Sequence, residues 1–281
     1  MRLIGRQPAG AWSGPPSLAH PPERGWHFPE WSAEFLGTFV LVLGGLSAVC
    51  LDFGQGSPVP HLIPSPSLRL LITGLLFAGT GSLVAISPPG RLSGAHVNPC
   101  VTLAFWAGGH VSRDDLLGYL GGQFAGALAG DLALHLLWGP IALSVQDGLT
   151  APQPGVSPLA AVGIEALMTG ILVLAIFSCI SFTRTARFTP LVLWIVIALL
   201  VWKGAPYTDC SLNPARSLGP AIVIGDYHLL WVYFVGPPLG ALLAAGLFLA
   251  VSGRHHPLTA KLYHDVRFRS VLGTRLQTRP R

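Results

Sequence analysis

The sequence predicts an all-α membrane protein in which six transmembrane helices and two re-entrant half-helices form an inverted repeat. Three observations carry that expectation. Only 10% of the 281 residues are charged while 51% are hydrophobic, against about 25% charged in soluble domains. Six apolar runs approach or reach the roughly 20 residues that cross a bilayer core. Motifs of the first half return in the second at matching spacing.

The elements follow in order. Residues 1–29 are rich in Pro, Gly and charge and lack the apolar core of a signal peptide, so they read as a disordered tail. The first two spans run from Trp31 to Leu51 and from Leu68 to Ser87. Val97 to Ala107 is too short to cross at 1.5 Å per residue. It opens with Asn98-Pro99, a favoured helix cap followed by a favoured first helical residue, so it reads as a half-helix that starts inside the membrane. Spans three to five are Leu116 to Trp138, Leu159 to Phe182 and Phe188 to Trp202. A second half-helix, Leu212 to Ile224, opens with Asn213-Pro214, and the last span is Leu229 to Val251. The membrane domain is thus 30–251, with repeats 30–138 and 158–251, followed by a basic tail, 252–281.

Arg91, Arg113, Arg184, Arg187 and the basic residues of both tails fall on one side of this arrangement. The opposite segments hold Asp52 and Asp147 and neither Lys nor Arg. The positive-inside rule then puts both termini in the cytoplasm of a multi-pass plasma or inner membrane protein. Arg69 and Lys203 run against the rule, but both lie at helix ends from which they can snorkel.

The repeat matches Glu34, Leu36, Thr38, Leu41 and Val42 to Glu165, Leu167, Thr169, Leu172 and Val173. It also matches Asn98-Pro99 to Asn213-Pro214, and Gly122, Gly126 and Ala127 to Gly236, Gly240 and Ala241. With three spans per half, the second copy enters from the opposite face, and such repeats place their site at broken helices near the midplane. Two helix starts meeting there expose backbone N–H groups and about +0.5 charge each. Protons and cations are disfavoured, while the Asn98 and Asn213 amides offer donors to a neutral solute. Arg216, at membrane depth, reads as functional because a charge there is costly unless it faces water or acceptors.

Other classes are disfavoured. The four cysteines, Cys50, Cys100, Cys179 and Cys210, are scattered singly, so neither a metal site nor a disulfide scaffold is expected. Basic residues are not interleaved with aromatics as in nucleic-acid binders, no hydrolase constellation is visible, and no cofactor is implied. Asp131 and His135, four apart on one helix face, are expected to pair with each other.

Ser93-Gly94-Ala95-His96-Val97-Asn98-Pro99-Cys100-Val101-Thr102 and Asn213-Pro214-Ala215-Arg216-Ser217-Leu218-Gly219-Pro220 resemble the two signature boxes of the aquaporin family, the major intrinsic proteins. Gln123 and Gly236-Pro237 add to the likeness, whereas Cys100 stands where the family usually has Ala. The resemblance implies a homotetramer with a pore in each protomer, passively conducting water and small uncharged solutes. It places Asn98 and Asn213 at the pore midplane and Gly94, Ala95, His96, Asp209 and Ser211 in the lining loops. Glu34 and Glu165 become buried acids that hold those loops. Counting by the family's ungapped spacing puts the filter at Ala78, Val201, Cys210 and Arg216. A one-residue gap at Pro88-Pro89 would instead turn Phe77, about 100° round the helix, to the pore. Small apolar residues in place of an aromatic and a His imply passage of glycerol, urea, peroxide or metalloid hydroxides. The alternatives are a strictly water-selective channel and, more distantly, an ion-coupled transporter, which would need a coupling carboxylate beside the broken helices.

Overall fold

A computed structural model describes residues 18–252 and 255–277. The expected disordered tail therefore lies mostly outside the described residues. Long helices form at α1 (Phe28–Phe53), α2 (Pro66–Ile86), α4 (Arg113–Trp138), α5 (Pro158–Ile180), α6 (Thr189–Thr208) and α8 (Trp231–Val251), with half-helices α3 (Pro99–Ala107) and α7 (Pro214–Ile224). Side-chain caps start several of them: Ser65, Ser112 and Ser157 accept from Leu68 N, Asp115 N and Ala160 N, satisfying an amide that lacks an intrahelical partner. Five of the long helices are long and apolar enough to cross a membrane. The other, α4, carries Asp114, Asp115 and Asp131.

Boundaries depart from expectation chiefly in α6. The helix continues six residues past Trp202, through Lys203 and Pro206, to Thr208. Hydropathy falls where this helix leaves the apolar region, but its backbone bonding does not stop there.

The inverted repeat is visible in the packing. α1 lies against α4 as α5 lies against α8, and the closest approaches match position by position. A Cβ on Gly122 would stand 2.6 Å from Trp31 O and one on Gly126 2.3 Å from Phe35 O. The equivalent contacts are 2.8 Å from Gly236 to Val162 O and 1.9 Å from Gly240 to Ala166 O. Only glycine lets these backbones meet, as in other small-residue membrane interfaces. The close pairing holds α1 and α5, and with them Glu34 and Glu165, against the loops that lead into α3 and α7.

On the side where α1 starts and α8 ends, residues 255–277 fold back under the bundle. His20 N donates to Thr274 O at 3.0 Å and Thr274 N to His20 O at 2.9 Å, so segments from both ends meet there. This face is called the terminal side below, and the other the far side.

Candidate functional site

The two half-helices begin at the centre of the bundle and each is capped by its own asparagine. Asn98 Oδ1 accepts from Cys100 N at 2.8 Å, and Asn213 Oδ1 accepts from Ala215 N at 3.0 Å and Arg216 N at 3.3 Å. The amide nitrogens cross to the opposite half. Asn98 Nδ2 donates to Leu212 O and Asn213 Nδ2 to Val97 O, each at 2.9 Å. A primary amide has two N–H groups, so each asparagine keeps one outside these crossed bonds.

The loops before the asparagines share an unusual backbone. Gly94, Ala95 and Val97 have φ of 96°, 56° and 43°, and the repeat-equivalent Asp209, Cys210 and Leu212 have 54°, 50° and 57°. Left-handed conformations cost non-glycine residues roughly 1–2 kcal/mol each, and most of all β-branched Val97. Two buried carboxylates hold the strain in place. Glu34 accepts from Ser93 Oγ (2.7 Å), His96 N (2.9 Å), Val97 N (2.7 Å) and Gln123 Nε2 (2.7 Å). Glu165 accepts from Thr208 Oγ1 (2.7 Å), Ser211 N (2.9 Å) and Leu212 N (2.9 Å). Both glutamates are fully buried.

Two chambers flank this centre. The far-side chamber, of about 400 Å³, is bordered by Val201, Asp209, Cys210 and Arg216. The terminal-side chamber, of about 90 Å³, is bordered by Ala78, Ala95, His96, Asn98 and Asn213. Phe77, Ile197, Ser211 and Leu212 border both and so form the neck between them. Arg216 is 6% exposed. One of its nitrogens donates to Gly148 O at 2.7 Å, and its guanidinium carbon stands 5.9 Å from the centre of the Phe77 ring.

That geometry separates the two residues between which the count had to choose. Phe77 faces Arg216, whereas Ala78 sits on the terminal-side chamber. Adjacent helical residues point about 100° apart, and the short helix Pro88–Ser93 between α2 and the loop hides from counting which of the two faces the guanidinium. Gly94 is removed from the chambers: its carbonyl accepts from Leu262 N at 3.0 Å, beneath the C-terminal segment. Asp209 ties down a far-side loop by accepting from Ala151 N at 3.0 Å and Gln153 Nε2 at 2.9 Å. Cys100 is fully buried in the core.

The expected Asp131 to His135 pair does not form. His135 Nδ1 lies 2.7 Å from Asp147 Oδ2, while Asp131 packs towards Gly219 of α7 and is buried with no hydrogen-bond partner among the described residues. The helix face alone suggested the pair, but a carboxylate from a short turn at 146–148 takes the histidine instead. Sequence reasoning also missed that turn's contribution of the Gly148 carbonyl that holds Arg216, for which no sequence pattern gives a signal.

Comparisons with known proteins agree with this architecture. The profile described as Major intrinsic protein matches residues 26–248. The chain is 35% identical over 219 residues to Aquaporin-6 of Mus musculus, covering 77% of this chain and 69% of that one. It is 37% identical over 224 residues to Aquaporin-2 of Homo sapiens, covering 77% and 76%. Among solved structures, the aquaglyceroporin from Plasmodium falciparum shares the fold with a TM-score of 0.67 at 24% identity, over 80% of this chain and 96% of that chain.

Proposed function

The chain belongs to the major intrinsic protein family, passive channels for water and small solutes rather than enzymes, and from that premise we propose that its filter is formed by Phe77, Val201, Cys210 and Arg216 and passes small uncharged solutes as well as water. The carrying observation is the neck at Phe77, which joins the two chambers and faces Arg216 on its far side. Arg216 and the asparagine amides offer donors on one side of the path. Phe77 and Val201 offer apolar wall on the other. A polyol or urea can present its polar atoms to the first and its carbon skeleton or flat face to the second, and pore width with lining donors sets which solutes cross. Two half-helix N-termini and a buried guanidinium place positive potential along the path, which excludes protons and cations.

Glu34 and Glu165 are spent on loop amides, which supports a passive pore over an ion-coupled transporter. The reading further takes the protein as a homotetramer in a plasma or inner membrane, with the terminal side cytoplasmic by the positive-inside rule.

The test is a stopped-flow panel on proteoliposomes with water, glycerol, urea, hydrogen peroxide and boric acid. Water and at least one larger solute are expected to cross faster than in empty vesicles, with proton leak unchanged. Flux of water alone would establish the strictly water-selective alternative.

Mercurials are expected to abolish most of this flux through the Cys210 thiol, which borders the far-side chamber. The Cys210→Ser protein should keep its flux in their presence. Inhibition persisting in that variant would remove Cys210 from the path.

A further inference from the structure

The terminal-side chamber has a floor that does not come from the membrane domain. Leu262, in the segment after α8, borders it together with Ala95, His96 and Val97, and is 7% exposed. The neighbouring Ala260 carbonyl lies 2.7 Å from His96 Nε2. A carbonyl only accepts, so His96 donates from Nε2, and its Nδ1 is left to Thr102 Oγ1 at 3.1 Å. Both ring nitrogens are therefore engaged, and the histidine is 1% exposed at a position where an open mouth would wet it.

The segment is held like a strap. Leu258 N donates to Ile180 O, Leu262 N to Gly94 O and Gly273 N to His110 O, at 3.0, 3.0 and 2.7 Å, so it touches the end of α5 and two loops around the mouth. Lys261, 1% exposed, donates from Nζ to Arg91 O at 2.7 Å and reaches Arg269 O at 3.3 Å and Phe268 O at 3.5 Å. Burial pushes this ammonium down to about 8. A second layer closes over it: Glu23 N donates to Val271 O at 2.8 Å, the Glu23 carboxylate pairs with Arg269, and Arg91 pairs with Asp265 at 3.0 Å. Ala260, Leu262, Val271 and Leu272 are all buried.

We propose that residues 258–274 are an autoinhibitory strap, with Leu262 as the plug, the Ala260 carbonyl as the cap on His96 and Lys261 as the latch, so that the docked segment closes the terminal-side mouth of its own pore. The inference rests on the channel reading and adds its regulation. The strap is tied to the bundle by separate backbone bonds and is not part of the helix packing, so it can open locally while the bundle stays folded. Flux through the protein is then set by the balance of docked and undocked strap.

The experiment uses the full chain in proteoliposomes. Lys261→Met removes the latch and keeps the aliphatic stem, Leu262→Ala removes the plug, and Val266→Ala, on the exposed surface of the strap, is the control. Water permeability per protein is expected to rise at least about fivefold in the first two and to stay unchanged in the control. Hydrogen exchange checks the folding of each variant. In Lys261→Met the amides of Leu258, Leu262 and Gly273 should exchange at least about tenfold faster, while those of Cys100 and Ala215 at the half-helix starts keep their protection. Equal permeability in wild type and in a variant whose strap amides are shown to be released overturns the strap and leaves the channel standing. Absence of flux from wild type and released variants alike overturns both.

Discussion

Truncation of Glu34 to alanine is expected to lower the thermal midpoint of the purified protein by about 10 °C or more, with most of the expressed chain lost to aggregation. The carboxylate accepts two backbone amides, a hydroxyl and a side-chain amide, all in a site closed to water. Each buried donor left unsatisfied costs about 1–3 kcal/mol, so the total is about 3–6 kcal/mol even with partial relaxation. That is a large part of the roughly 5–15 kcal/mol that folded domains possess, and each kcal/mol is worth about 2–4 °C at this chain length. The loop is also strained at Ala95 and Val97, and among the described residues Glu34 is the α1 side chain that hydrogen-bonds to it. Glu34→Gln keeps one acceptor oxygen and should lose about half as much. A midpoint for Glu34→Ala within two or three degrees of wild type, measured by a thiol-independent fluorescence melt in detergent, would show that water or a neighbour replaces the carboxylate.

The Val201→His protein is expected to lose at least about tenfold of its glycerol and urea permeability while its water permeability stays within about twofold. Val201 borders the chamber that ends at Phe77 and Arg216, so a larger, hydrogen-bonding ring there narrows the neck and replaces apolar wall with a polar group. Tenfold corresponds to about 1.4 kcal/mol of added barrier, a modest demand for a lost fit. Water needs neither the width nor the apolar wall. Stopped-flow light scattering on matched proteoliposomes reads both fluxes. Unchanged solute permeability would mean that the selecting ring lies elsewhere along the path.

The helices and half-helices were legible because their causes are local. Apolar runs of spanning length and the two Asn-Pro starts each act within one stretch of chain, and the repeat doubled every signal. Phe77 was less legible than Arg216 for a geometric reason: Arg216 is fixed by adjacency to its asparagine, while Phe77 is reached through the end of α2, a turn and a short helix. The partner of His135 could not be read because Asp147 arrives on a turn with no periodicity. The C-terminal strap was invisible for the same reason. Its binding is written in backbone carbonyls and one buried lysine, and sequence patterning reports neither.

The crossed asparagine bonds also set an order of events during synthesis. Asn98 waits for a carbonyl 114 residues further along the chain, which at about 5–20 residues per second takes on the order of ten seconds to be made. For much of that interval the first three spans stand with the start of their half-helix unsealed. Asn213, in contrast, finds Val97 already delivered. The path for solute therefore cannot exist until the second half has been delivered, and a nascent chain that stalls between residues 139 and 157 leaves a three-span bundle whose half-helix lacks its counterpart. Because the two bonds are reciprocal, a separately made second half inserted from the other face would supply what the first lacks, so the chain should tolerate being delivered to the membrane as two pieces.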